Sequence, residues 1–249
     1  MPLFAAADRR ADNDSDNDAS HASTLILLRH GESLWNRENR FTGWTDIPLT
    51  EQGLTEADAA GKKLMASRLQ PDCIHTSVLS RSVQTAWRIQ EQTDRVWLPL
   101  EKSWRLNERH YGALQGMNKD TASALFGRDN VCLWRRSFSG LPPSDENAPA
   151  VLQRDPRYRH LRLNELPMTE SLCGALMRLM PYWIGRIQPQ LDEGKTVLVV
   201  SHANLLRSLI VLLENLPETA TERLHVPTAV PLVYRLDAGI NIISKITLN

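Results

Sequence analysis

The sequence has no surplus of charge of either sign, no long apolar run and few cysteines, and each lack excludes a class of protein. Lys plus Arg and Asp plus Glu both total 29, so no global basic field would gather nucleic acid. Any anion site must therefore be assembled locally. No segment approaches the roughly eighteen uninterrupted apolar residues of a membrane helix. Cys73, Cys132 and Cys173 are far apart and odd in number, without the close pairing of a zinc ribbon or redox motif, and read as free thiols in a reducing compartment. A Walker-type glycine loop, a dinucleotide fingerprint and metal-ligand spacing are also missing. These lacks point to a soluble cytoplasmic protein with no nucleic-acid or membrane partner, whose chemistry needs no metal.

What is present is enough apolar sequence for one sizeable core: 42% of 249 residues suits a single domain. That domain is expected over 24–249. Residues 1–23, rich in Asp, Asn and Ser, lack the apolar content to offset the entropy of ordering and are expected to form a disordered tail. Thr24 to Leu28 is a short apolar run suited to a strand buried on both faces, and Arg29-His30-Gly31 follows at once. Lys195 to Val200 repeats the pattern and runs into Ser201-His202. Two strands thus each end in a histidine.

Between them, Thr50 is a candidate N-cap for a helix reaching Leu69, and Ser80 for one through Gln92. Asp72 to Ser77 and Arg95 to Leu100 read as further strands. Strands alternating with helices predict an α/β fold, a mostly parallel central sheet covered by helices on both faces in three layers. Ligands of such sheets lie beyond the strands' carboxyl ends, where both histidines would sit. From Ser137 to Pro167 periodicity fails, and a long excursion over the site face is expected. Helical spacing resumes from Glu170 to Leu191, with a bend at Pro181, and again from Leu205 to Leu216.

Leu27 to Gly53 reads LLRHGESLWNRENRFTGWTDIPLTEQG, and TSVLSRSVQTAW, SWRLNERHYGALQGMNK, LWRR, DPRYRHL, LPMTESL, SHANLLRSLI and PTAVPLVYRLD follow. In that order, from Thr24 to Asp237, they resemble the histidine phosphatase superfamily, and within it the phosphoglycerate mutases that depend on 2,3-bisphosphoglycerate. The resemblance implies a phosphoglycerate mutase-like fold and interconversion of 2-phosphoglycerate and 3-phosphoglycerate, a step of glycolysis and gluconeogenesis. It also implies 2,3-bisphosphoglycerate as priming cofactor and a homodimer or homotetramer.

The residues make chemical sense on their own. A neutral imidazole nitrogen can attack phosphorus and later leave it, so His30 is the candidate nucleophile. Arg29 and a second arginine would disfavour imidazolium while gripping phosphoryl oxygens. Gly31 would permit a turn whose amides face an anion. Standing alone, RHG would be a satisfied histidine at a strand end. By resemblance His202 stabilises transition-state charge and Arg81 is the second clamping arginine. Taken singly, these are a structural histidine and a solvated surface charge. Glu108 in NERHYG matches the family's acid and base, although such tripeptides are more often exposed loops.

A phosphoglycerate carries a carboxylate besides its phosphate, and Arg135 and Arg136 offer extra forks for it. Adjacent helical arginines diverge, so one bound and one solvated is the alternative. Ser33, Asn36, Thr42, Gly43, Tyr111, Lys119, Ala203 and Asn204 match ligand-contacting positions by resemblance. Trp35, Trp44, Trp104 and Trp134, four of seven tryptophans, are read as packing material.

Two departures from the family matter. Ala203 stands where glycine is usual, which predicts a slower enzyme if that backbone approaches the ligand closely or needs positive φ. The sequence also ends soon after a last strand, where many relatives continue into a covering tail, which predicts leakage of phosphohistidine to water. A phosphomonoesterase or bisphosphoglycerate phosphatase is the second reading, and a non-catalytic phospho-ligand binder the third.

Overall fold

The computed structural model describes residues 22–249; the tail expected over residues 1–23 lies almost wholly outside them. The chain opens with β1 (Ser23–Arg29), short α1 (Leu34–Arg37), α2 (Glu51–Ala66), β2 (Cys73–Thr76), α3 (Ser80–Gln92) and β3 (Leu100–Lys102). Then come α4 (Lys119–Phe126), α5 (Arg128–Arg136), α6 (Ala148–Gln153), α7 (Leu172–Tyr182), α8 (Gln188–Asp192), β4 (Thr196–Ser201), α9 (Ala203–Leu213), β5 (Leu232–Leu236) and β6 (Ile242–Thr247).

The six strands form one sheet in the order β3-β2-β4-β1-β5-β6. β1, β2, β3 and β4 are parallel, and β5 runs antiparallel to both β1 and β6. Side chains on a strand alternate between faces, and here both faces are apolar. Leu25, Leu27, Val197 and Val199 pack with α7 and α9, whereas Ile26, Leu28, Leu198 and Val200 pack with α2 and α3. The expected three-layer α/β architecture follows directly.

Several element ends differ from expectation. The strand expected over Arg95–Leu100 begins only at Leu100, because Arg95 to Leu98 forms a turn closed by Leu98 N–H on Arg95 O. Five residues of π-like widening were not expected either: after Pro181 the chain continues as a π-helical turn, Trp183–Ile187, before α8. The helix expected to run to Leu191 with a bend at Pro181 is thus divided after Tyr182 by i→i+5 bonding.

Ser80 is not the cap of α3. Leu79 occupies that position and offers no side-chain bond. Asp46 reaches across instead, Oδ1 accepting from Ser80 N at 2.7 Å and Oδ2 from Ser80 Oγ at 2.8 Å, while Arg157 of the long excursion donates to Oδ2 at 2.6 Å. A carboxylate at a helix N-terminus satisfies orphan donors and complements the helix dipole. Asp46→Ala should lower stability by about 1–2 kcal/mol, read from the urea midpoint. An unchanged midpoint would show the cap to be dispensable.

Candidate active site

Parallel pairing of β1 with β4 sets Arg29 opposite Ser201, so the residues that follow the two strands emerge side by side. His30 N donates to Ser201 O at 3.0 Å, and the His30 and His202 rings lie 5.0 Å apart, edge to face. Both rings are buried. They sit at the carboxyl edge of the sheet, as the sequence predicts.

His30 Nδ1 is 2.6 Å from the Gly31 carbonyl, which can only accept, so Nδ1 carries the proton and Nε2 keeps a free lone pair. Burial first, then Arg81 and Arg29, hold the His30 pKa well below its usual 6.5. The ring is a neutral base at physiological pH. Gly31 has another role than expected: its amide donates to Thr85 Oγ1 rather than facing the cavity, and a Cβ there would collide with the Gly53 carbonyl. The close approach of two backbones, not an anion nest, requires glycine.

His202 is wholly buried, its ring beside that of cavity-lining His30. Its Nε2 lies 2.9 Å from Ser77 Oγ and 3.2 Å from Ser82 Oγ, and its Nδ1 has no partner among the described residues. Hydroxyls donating to Nε2 would leave Nδ1 as a spare donor. Burial and then Arg81 lower its pKa well below 6.5.

Arg81 is no surface charge. It is 1% exposed and donates to Thr45 O and Gly43 O, with burial bringing its pKa down to about 10. Gly43 holds that carbonyl with φ +55°, a conformation that favours glycine. Arg29 donates Nη1 to Val226 O, and its buried Nε is without a partner among the described residues.

A cavity of about 240 Å³ opens above these groups. Arg29, His30 and Arg81 line one part of it, Glu108 lies along it, and Lys119, Arg135 and Arg136 line another. Asn36, Thr42, Gly43, Tyr111, Ala203 and Asn204 complete the expected set. Ser33 does not: its hydroxyl bonds Asn36 Oδ1 and accepts from Asn36 N, so it caps α1 instead of meeting the cavity. Both arginines of the adjacent pair reach the cavity, against the alternative of one solvated. Both belong to the last turn of α5. Lys119 has its pKa lowered to about 8 by burial, then by Arg135 and Arg29.

Ala203 begins α9 and is absent from the positive-φ positions, so the backbone strain expected of it does not arise. Only its methyl group, at the cavity wall, remains of that reason for slow turnover.

Glu108 is pinned from behind by residues the sequence did not reveal. Trp44 Nε1 donates to Glu108 O at 2.7 Å, and Arg178 donates to Asn107 O and Glu108 O while pairing with Glu170 at 2.7 Å. Tyr158, from the excursion expected over the site face, stacks on Trp44 at 5.0 Å. The Glu108 carboxylate accepts from Arg109 N at 2.8 Å and from Asn204 N at 3.4 Å. Arg40, Arg207 and His225 also line the cavity, beyond the residues the sequence singles out. For Arg207 a signal existed, since it lies three and four residues beyond Asn204 and Ala203 on one helix face. For Arg178, some seventy residues from its acceptors, there was none.

Four buried histidines, His30, His75, His110 and His202, have pKa values lowered primarily by burial, His110 to about 4. Between the folded values and the unfolded 6.5 the unfolded chain holds more protons, so stability rises with pH there and is lost as pH falls below 6.5. Urea midpoints should fall from pH 6.5 to 5, each histidine contributing up to about 1.4 kcal/mol per pH unit. A flat profile across that window would contradict burial in the neutral form.

A neutral imidazole between buried arginines, above the carboxyl edge of a parallel sheet, defines a protein built to meet phosphoryl groups. Residues 25–165 match the model of the histidine phosphatase superfamily (branch 1), and the chain belongs to that superfamily. Among solved structures it is similar to a mycobacterial glucosyl-3-phosphoglycerate phosphatase with VO3, at 25% identity over 85% of this chain and 92% of that one, TM-score 0.66. Bacillus stearothermophilus YhfR is similar at 26% identity over 87% and 93%, TM-score 0.65. Phosphoglycerate mutase from Bacillus anthracis str. Sterne shares the fold, at 22% identity over 91% and 93%, TM-score 0.65. No helix among the described residues is long and apolar enough to cross a membrane.

Proposed function

We propose that this protein interconverts 3-phosphoglycerate and 2-phosphoglycerate through phospho-His30. The observation that carries the reading is the division of the cavity's charge. Arg29 and Arg81 act on His30, whereas Lys119, Arg135 and Arg136 line the cavity as well, with Arg29 acting on Lys119 too, and Glu108 is felt by Arg29, Arg81 and Lys119 alike. A monoester hydrolase needs the first group only. A substrate with a carboxylate as well as a phosphate would use both, and the Glu108 carboxylate is the group that would move the hydroxyl proton.

In this mechanism Nε2 of His30 bonds to phosphorus and the phosphoryl oxygens rest on Arg29, Arg81 and His202 Nδ1. The phosphoryl passes to the substrate hydroxyl as Glu108 takes its proton, the doubly phosphorylated acid turns over, and His30 recovers the other phosphoryl while Glu108 returns the proton. 2,3-Bisphosphoglycerate would supply the group that primes His30. The partnerless buried donors on His202 and Arg29 suit such an anion. A cytoplasmic, metal-independent homodimer or homotetramer belongs to the same reading.

Hydrolysis is the second reading, favoured by the likeness to the glucosyl-3-phosphoglycerate phosphatase. It keeps His30 and ends in water. Incubation with 3-phosphoglycerate, with and without the bisphosphate, separates the two: 2-phosphoglycerate supports the mutase, whereas stoichiometric free phosphate without isomerisation refutes it.

A further inference from the structure

Arg207 leaves α9 on the face that meets the cavity, yet it is 6% exposed and its protein acceptors are neutral. Nε donates to Leu224 O at 3.0 Å and Nη1 to Asn204 Oδ1 at 2.7 Å. After burial, the strongest influence on its charge is Arg136, and together they bring its pKa to about 10. Arg136 is half-buried and lines the same cavity, so the two like charges repel, a cost that an anion held between them offsets. Arg207 and Arg136 line the same cavity, and the arginines that act on His30 are Arg81 and Arg29. Its side-chain hydrogen bonds run to Leu224 and Asn204, and none goes to His30, Arg29 or Arg81.

It also fixes an amide. Asn204 Oδ1 is taken by Arg207, so its NH2 must face outward, and Nδ2 donates to Tyr111 OH at 2.8 Å. The Tyr111 oxygen is then an acceptor from the protein, and its single proton is left to donate elsewhere. Tyr111 lines the cavity.

We infer that Arg207 is a specificity-determining residue: with Arg136 it holds the substrate's anionic group remote from the reacting phosphoryl, and through Asn204 it commits the Tyr111 hydroxyl to donating toward that substrate. The inference rests on the proposed reading only in requiring a substrate with a second anionic group, and not on isomerisation.

Calorimetric titration with inorganic phosphate and with 3-phosphoglycerate tests it. In Arg207→Gln the affinity for 3-phosphoglycerate should fall about 30-fold, the scale of a lost hydrogen bond to a charged group, while that for phosphate changes less than about threefold. Adding Tyr111→Phe to Arg207→Gln should cost less than Tyr111→Phe alone, because the two act through one chain of bonds. If Arg207→Gln folds poorly, Arg207→Lys keeps the charge but loses the fork, and should weaken 3-phosphoglycerate about threefold to tenfold with phosphate unaffected. Equal weakening of both ligands, or none, would overturn the inference. Wild-type protein that binds 3-phosphoglycerate selectively through Arg207 but only hydrolyses it would refute the mutase and leave this role standing.

Discussion

A His30→Ala variant is expected to lose turnover by about four orders of magnitude or more, together with every trace of acid-labile phosphate on the protein. The buried neutral imidazole nitrogen whose lone pair is left free beside Arg29 and Arg81 would be gone, and the Gly31 carbonyl that fixes its tautomer would have nothing to orient. Folding should survive. His30 is held neutral by burial against two arginines, so its removal relieves the protein of a desolvated polar ring, and the β1 backbone bond to Ser201 is unaffected. Mass spectrometry after exposure to 2,3-bisphosphoglycerate, beside a turnover assay, decides the matter. Label on another side chain, or activity within tenfold of wild type, would remove the nucleophile from this account.

Glu108→Gln should separate proton transfer from phosphoryl transfer. Glutamine keeps the shape and an oxygen for the Arg109 amide now bonded at 2.8 Å, and its backbone stays pinned by Trp44 and Arg178. What it loses is the ability to take and return a proton, so isomerisation should fall by about 10²–10⁴. Labelling of His30 should persist, and transfer from p-nitrophenyl phosphate, whose leaving group needs no proton, should decline far less. Isomerisation within tenfold of wild type would exclude Glu108 as the proton carrier. Loss of labelling along with isomerisation would make its role electrostatic support of the clamp instead.

The strands that end in histidine were legible because a parallel strand buried on both faces leaves a continuous apolar run, and Thr24–Leu28 and Thr196–Val200 are such runs. The short β3 was misplaced by several residues, since Val96 and Trp97 have strand-like side chains but lie exposed in a turn. Ser33 caps α1 instead of meeting the cavity, a distinction not legible in sequence because a hydroxyl two residues after Gly31 looks the same in either role. The cap of α3 was invisible, for Asp46 lies thirty-four residues away from Ser80. Arg135 and Arg136 read as divergent under helical geometry; ending the helix at Arg136 frees both to reach the same opening.

By itself the sequence determined the class of sheet, the two histidines at its edge and the types of group able to exchange a phosphoryl, because periodicity and local chemistry are written in neighbouring residues. Only the tertiary structure decided which nitrogen of His30 is free, that Arg81 is buried, and that Arg178, Arg207 and Asp46 hold the site in place. Those depend on contacts between segments distant in the chain, where burial and facing charges set protonation and orientation.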